Sequence, residues 1–249
     1  MTNIDTIVIA VGGQGRRIAS DLRKRGITTP KIFLKFNGKP ILSHLIDISL
    51  ALNFQRIFLL SSYYERELHS YLEENYPNSE KIMPVYGGRA GRKWGVPWLL
   101  YSIRQKLQKP FIYSDGNILY NQDILKKMKG VGVLRPTLAN IVLSVKDLAP
   151  THSRAILHGG SIQEINARLP QNKKISGRHK RQQYCSLGLM ALSGSIFSSI
   201  PRFDQKKDLD FIVGDIFKFQ KDSIRGTIYH GNWLAVHAIQ DIDKSGIKS

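Results

Sequence analysis

The chain has 249 residues, 42% of them hydrophobic and 22% charged, which suits a full core and excludes wholesale disorder. Lys and Arg number 37 against 19 Asp and Glu, a formal net charge of +18; such a balance points to anionic partners, whether nucleotides, sugar phosphates, nucleic acid or an anionic membrane surface. The single Cys185 excludes an internal disulfide framework and a cysteine-rich zinc site, and fits a reducing cytoplasm. The first residues carry no basic leader, and no apolar stretch is long enough to span a bilayer.

Residues 7–11 form a short, β-branched apolar run that reads as a central parallel strand. It ends on Gly12-Gly13-Gln14-Gly15, followed by Arg16-Arg17. Glycines let backbone N–H groups approach a phosphate chain, and a helix N-terminus behind them adds positive potential. Residues 31–36 read as a short extended segment. Residues 40–53 place Ile41, Leu42, Leu45, Ile46, Ile48 and Leu52 at helical spacing behind Pro40. A buried strand over 55–62, a polar helix over 65–75 with Leu68 and Leu72 inward, and a strand over 81–86 complete a βαβα alternation. That pattern predicts a parallel sheet with helices on both faces, its ligand-binding loops gathered along one edge.

Residues 87–97 make a glycine- and cation-rich loop, and 98–107 read as helical. The apolar run of 110–119 breaks at Asp115-Gly116-Asn117, and 137–145 reads as a strand. Residues 153–165, centred on His158-Gly159-Gly160-Ser161, read as a β-hairpin. The densest cationic run, 173–181, lacks interleaved aromatics, so it reads as a mobile basic loop at 170–183 rather than a base-stacking platform. Residues 184–192 and 224–230 read as strands, 196–200 and 210–219 as helices.

Gly12, Gly13, Gly15 and Arg17, then Lys31, then Gly38-Lys39-Pro40 resemble the signature of the sugar-1-phosphate nucleotidyltransferases. Arg16 and Ile18 depart from it. The resemblance implies that Gly12, Gly13, Gln14, Gly15 and Gly95 bind the nucleotide. It further implies that Arg17 holds the departing pyrophosphate and that Lys31 bridges the α-phosphate and the incoming sugar phosphate. Around Gly95-Val96 the family has a Gly-Thr pair; valine lacks that hydroxyl, and Arg89, Arg92, Lys93 and Trp94 are alternative contacts, unless Trp94 and Trp98 pack into the core.

Asp115-Gly116-Asn117 resembles the family's metal-binding turn with its carboxylate two residues early. Either Asp115 reaches Mg²⁺, or Asn117 sits there as a neutral ligand, or Asp115 only caps a turn. Of the family's Glu-Lys pair for the sugar phosphate only a cation remains, Arg168; Leu187-Gly188 resembles the strand that faces the sugar. Gly231–His237 resembles the terminal metal motif, with Ala235 where the second carboxylate belongs; His237 is a substitute ligand, or a surface or packing residue.

The expectation is therefore one α/β domain over 1–249, Rossmann-like, with a mixed, mostly parallel sheet of the nucleotide-diphospho-sugar transferase type. The implied activity is transfer of a nucleoside monophosphate from a nucleoside triphosphate to a sugar 1-phosphate, with Mg²⁺ as cofactor, in the cytoplasm. The alternatives are a catalytically degenerate nucleotide- or sugar-phosphate-binding protein and a basic nucleic-acid-binding protein. Self-association is left open.

Overall fold

The computed structural model describes residues 3–12, 21–87, 95–131, 137–145, 154–158, 161–166, 183–199 and 223–236. The first strand, β1 (Thr6–Gly12), leads to a 3-10 turn (Lys31–Phe33) and a small hairpin, β2 (Lys35–Phe36) and β3 (Lys39–Pro40). There follow α1 (Ile41–Ala51), β4 (Arg56–Ser61), α2 (Glu65–Asn75), β5 (Ile82–Tyr86) and α3 (Val96–Ser102). Next come β6 (Phe111–Asp115), β7 (Ile118–Tyr120), α4 (Gln122–Val131), β8 (Ala139–Ser144), β9 (Arg154–His158) and β10 (Ser161–Asn166). The last described elements are β11 (Gln183–Leu192), α5 (Ile196–Ser199), β12 (Ile224–Tyr229) and β13 (Trp233–Ala235).

Nine strands form one sheet in the order β5-β4-β1-β6-β11-β8-β12-β10-β9. The central strands are apolar on both faces because both faces are covered. Val8, Phe58, Leu60 and Phe111 pack into one core with Leu99 and Leu100 of α3 and Ile196 of α5. Ile7, Ile9, Ile57 and Leu59 alternate into the other, with Leu42, Leu45 and Ile46 of α1, Leu68 and Leu72 of α2, and Ile124, Leu125 and Met128 of α4. The expected mixed sheet with helices on both faces is thus present.

Parallel pairing joins β5, β4, β1 and β6, and again β12 and β8. More of the remainder is antiparallel than the strand–helix alternation implied, because β11 runs against both β6 and β8. The anticipated hairpin is β9–β10. Strand β9 also pairs with β11, so this part of the sheet curls back on itself.

The helix expected from residue 98 starts at Val96, since Pro97 in the first turn is pre-set for helical φ and needs no donor there. It ends at Ser102 and gives way to a 3-10 turn at Arg104–Lys106. The segment expected to be extended from Lys31 begins instead with the 3-10 turn, whose Ile32 is buried. Helix α4 and strand β13 were not anticipated. The proposed helix over 210–219 lies outside the described residues; so does the basic loop, apart from Gln183, which is the first residue of β11.

Strand β5 is the outer strand at one end, and among the described residues nothing pairs with its other side. Ile57 N–H donates to Lys81 O and Gly87 N–H donates to Ser61 O, so odd-numbered residues face β4. Pro84, in unbroken register with Leu59, therefore turns its donor-less nitrogen outward.

Candidate functional site

The parallel strands β1, β4, β5 and β6 end along one edge, and close backbone packing shapes it. A Cβ on Gly12 would lie 2.3 Å from the Ser61 Cα and the Ser62 nitrogen. A side chain there is excluded by the neighbouring backbone, at the point where the β1–β4 register shifts. Gly87 sits as tightly on Ser62, with its N–H donated to Ser61 O at 2.7 Å. Gly116 donates to Ala10 O at 3.0 Å and also lacks room for a Cβ, 2.5 Å from that oxygen. The turn after β6 is thereby pinned to β1.

Asp115 ends β6, in register with Ala10 of β1. Tyr113 Oη donates to Asp115 Oδ1 at 2.5 Å. On the adjoining strand, Gly188 of β11 has φ +69 and lies where β11 shifts register against β8, between Ser186 and Met190. A Cβ on Gly188 would lie 2.3 Å from Asp115 Oδ2. Tyr120 Oη donates to Ser114 Oγ at 3.0 Å. Burial pushes the Tyr120 phenol up to about 12, with the Asp115 charge adding to the rise and the Ser114 bond opposing it.

Asn117 follows in the same turn. Its Nδ2 donates to Val236 O at 3.3 Å, and its own carbonyl accepts from Val236 N–H at 2.9 Å. Strand β13 pairs antiparallel with β7, with Ala235 opposite Ile118. The two positions that the resemblance assigns to metal carboxylates are thus neighbours in space, and both are neutral here. The Asp115 carboxylate is bonded to Tyr113 and set against Gly188.

Lys31 is held by the 3-10 turn, in which Phe33 N–H donates to Pro30 O at 2.9 Å and Leu34 N–H to Lys31 O at 3.2 Å. The Phe33 ring lies 4.9 Å from the Tyr71 ring, tying the turn to α2. In the β2–β3 hairpin Asn37 and Gly38 take positive φ, and Lys39 is ion-paired with Asp47 of α1. Asp47 also accepts from Tyr76 Oη at 2.8 Å.

Gly95 immediately precedes α3, and its carbonyl accepts from Trp98 and Leu99 at 3.1 and 3.2 Å. Val96 and Trp98 pack against the core, which resolves Trp98 as a packing residue. Gly13, Gln14, Gly15, Arg17, Arg89, Arg92, Lys93, Trp94, Arg168 and His237 lie outside the described residues.

The structure therefore brings Gly12, Asp115 and Gly188 onto one stretch of the sheet. Sequence reasoning missed Tyr113, although its position two residues before Asp115 on one strand was a usable signal. Among the described residues no three His, Cys, Asp or Glu side chains come together as a metal site. The single Asp115 carboxylate suits a hard cation whose remaining ligands are waters or other oxygens, since Mg²⁺ keeps several waters and needs only one or two protein carboxylates. No described helix is long and apolar enough to cross a membrane.

No family model matches the chain. Among curated proteins, it is 24% identical over 199 residues to the bifunctional protein GlmU of Xanthobacter autotrophicus, a match covering 78% of this chain and 40% of that one. The chain thus spans well under half the length of that relative. The inositol-1-phosphate CTP transferase of T. maritima superposes with a TM-score of 0.73 at 15% identity, over 99% of both chains. A Bacillus anthracis protein assigned as a glucose-1-phosphate thymidylyltransferase gives 0.73 at 15% identity, over 98% of this chain and 96% of that one. HddC from Yersinia pseudotuberculosis gives 0.72 at 20% identity, over 97% of both. With the strand order and the doubly covered sheet, these likenesses show that the chain has the fold of the sugar-1-phosphate nucleotidyltransferases.

Proposed function

We propose that this protein transfers a nucleoside monophosphate from a nucleoside triphosphate to a sugar 1-phosphate. A phosphate oxygen of the sugar 1-phosphate attacks the α-phosphorus, forming the new P–O bond. The bond from the α-phosphorus to the bridging oxygen breaks, and pyrophosphate leaves with its electron pair. Little covalent work falls to the protein; positioning and charge neutralisation carry the rate. Gly12, Gly13, Gln14 and Gly15 cradle the triphosphate, Gly95 lies beside the nucleoside, and Arg17 holds the departing pyrophosphate. Lys31 bridges the two reacting phosphates, while Arg168 and Gly188 border the sugar phosphate. Asp115 would hold Mg²⁺ brought in with the nucleotide, and the chemistry that ion would supply is neutralisation of phosphate charge.

The observation that carries this reading is Asp115 at the end of β6, bonded to Tyr113, facing Gly188 and next to the strand that delivers the glycine signature. The likeness of the fold and the relation to GlmU support it. We take 1–249 as one catalytic domain acting in the cytoplasm. The test is a pyrophosphate-release screen of several nucleoside triphosphates against a panel of sugar 1-phosphates. Turnover of at least one pair is expected.

A second reading is favoured by Asn117 and Ala235, which leave two metal positions neutral: a protein that binds nucleotide or sugar phosphate without turning it over. Calorimetric binding of a nucleoside triphosphate together with silence in the whole screen would select it. A nucleic-acid binder rests on net charge alone, and its signature would be binding to polyanions that falls steeply with salt.

A further inference from the structure

Tyr113 and Asp115 are two residues apart on β6, so their side chains leave the same face of the strand. The Tyr113 side chain is 3% exposed and belongs to the core that includes Val8, Leu60 and Met190. Its hydroxyl is donated to Asp115 Oδ1 at 2.5 Å, the spacing of a charge-assisted O–H to carboxylate bond. Asp115, in contrast, is only partly buried at the end of the strand. The packed ring is thus the fixed partner, and the carboxylate is the one aimed. From the other side Gly188, in the left-handed region at φ +69, leaves room for Asp115 Oδ2 where any Cβ would lie 2.3 Å away.

We propose that Tyr113 is a positioning residue that acts through Asp115. This rests on the function proposed above. The hydroxyl holds the carboxylate in the single orientation seen against Gly188, and that orientation is the one turnover uses. A carboxylate oriented before substrate arrives need not be ordered during the reaction. The groups behind a ligand to metal or substrate commonly control 10- to 100-fold of activity. Tyr113 does not touch substrate in this scheme; it removes the rotamers that Asp115 would otherwise sample.

The test is a double-mutant cycle on turnover with Tyr113→Phe, Asp115→Asn and the double variant, together with the crystal structure of Tyr113→Phe. Phenylalanine keeps the ring and its packing and removes only the hydroxyl. In Tyr113→Phe, kcat should fall about 10-fold or more, with KM for the sugar phosphate changing by less than about 2-fold. In the Asp115→Asn background the same substitution should cost nothing further, because residues acting as one unit are not additive. The variant's crystal structure should show the Asp115 carboxylate moved away from Gly188. Wild-type kcat in Tyr113→Phe, equal losses in both backgrounds, or a carboxylate that stays against Gly188 would each overturn the proposal. A wild-type protein that turns over no substrate pair overturns the proposed function instead, and the variant's crystal structure still decides whether Tyr113 holds Asp115.

Discussion

Asn117 and Val236 hold each other by two hydrogen bonds, the side-chain amide to the Val236 carbonyl and the Val236 N–H to the Asn117 carbonyl. This clasp closes the turn after β6 onto the strand that carries Ala235. It accounts for an amide at a place where the resemblance implies an acid. A carboxylate at 117 could not donate to Val236 O, so Asn117→Asp trades a structural bond for a negative charge.

The metal behaviour follows from that arrangement. On the proposed role of Asp115 as the protein carboxylate, Mg²⁺ should bind only together with nucleoside triphosphate, and the ligand-free protein should show no tight site. Asp115→Asn should remove most turnover, whereas Ala235→Asp should preserve or raise it and strengthen Mg²⁺ binding. Calorimetric titration of Mg²⁺ with and without nucleotide, on both variants, checks this. Unchanged turnover in Asp115→Asn would sink the assignment of Asp115.

Lys31→Ala and Arg17→Ala should each abolish turnover, and if neither side chain packs in the core, each should leave stability within about 1 kcal/mol. Lys31→Arg should not restore activity, because the planar guanidinium fork places its charge differently from a compact ammonium. Thermal unfolding and steady-state kinetics on the three variants provide the check. Normal turnover in Arg17→Ala would remove the main support for the signature.

Gly188→Ala introduces a side chain at φ +69 and against the Asp115 carboxylate. The backbone conformation alone should cost on the order of 1–2 kcal/mol, and the displaced carboxylate should depress kcat besides. Adding Asp115→Gly should relieve the crowding but not the backbone strain. Denaturant unfolding of the single and double variants separates the two contributions; full recovery of stability in the double variant would argue against backbone strain.

Neutralising Lys173, Lys174, Arg178, Lys180 and Arg181 together should raise KM for the sugar phosphate, most of all at low ionic strength, because long-range steering by surface charge is screened by salt. A KM independent of both the substitutions and salt would separate these cations from catalysis. A change confined to nucleic-acid affinity would support the third reading.

Much of the fold was legible in the residues. Where both faces of a strand are covered, as in β1 and β4, the sequence becomes a continuous apolar run that is easily seen. Glu65–Asn75 showed its inward Leu68 and Leu72 against a polar background. Helix α4 was equally readable from Ile124, Leu125 and Met128 once that segment was weighed as a helix. Strand direction was not readable, because an apolar run such as β11 looks the same whether it runs with its neighbours or against them. In the site, Asp115 announced itself by the glycine turn behind it. Its contact with Gly188 could not, since register between strands distant in sequence leaves no local mark. The sharing of labour between Asn117, Ala235 and Val236 was hidden for the same reason.

Pro84, with its nitrogen turned outward in the middle of β5, bears on how copies of this protein meet in a crowded solution. An exposed strand edge is a template for a second chain, and a strand added there needs an unbroken ladder of donors. Proline removes the central one, and no side-chain rearrangement can restore it. Pro84→Val would complete the ladder with a residue that favours extended backbone. The substituted protein should therefore keep its fold yet form β-rich aggregates on concentration or slow refolding, measurable by light scattering beside the wild type.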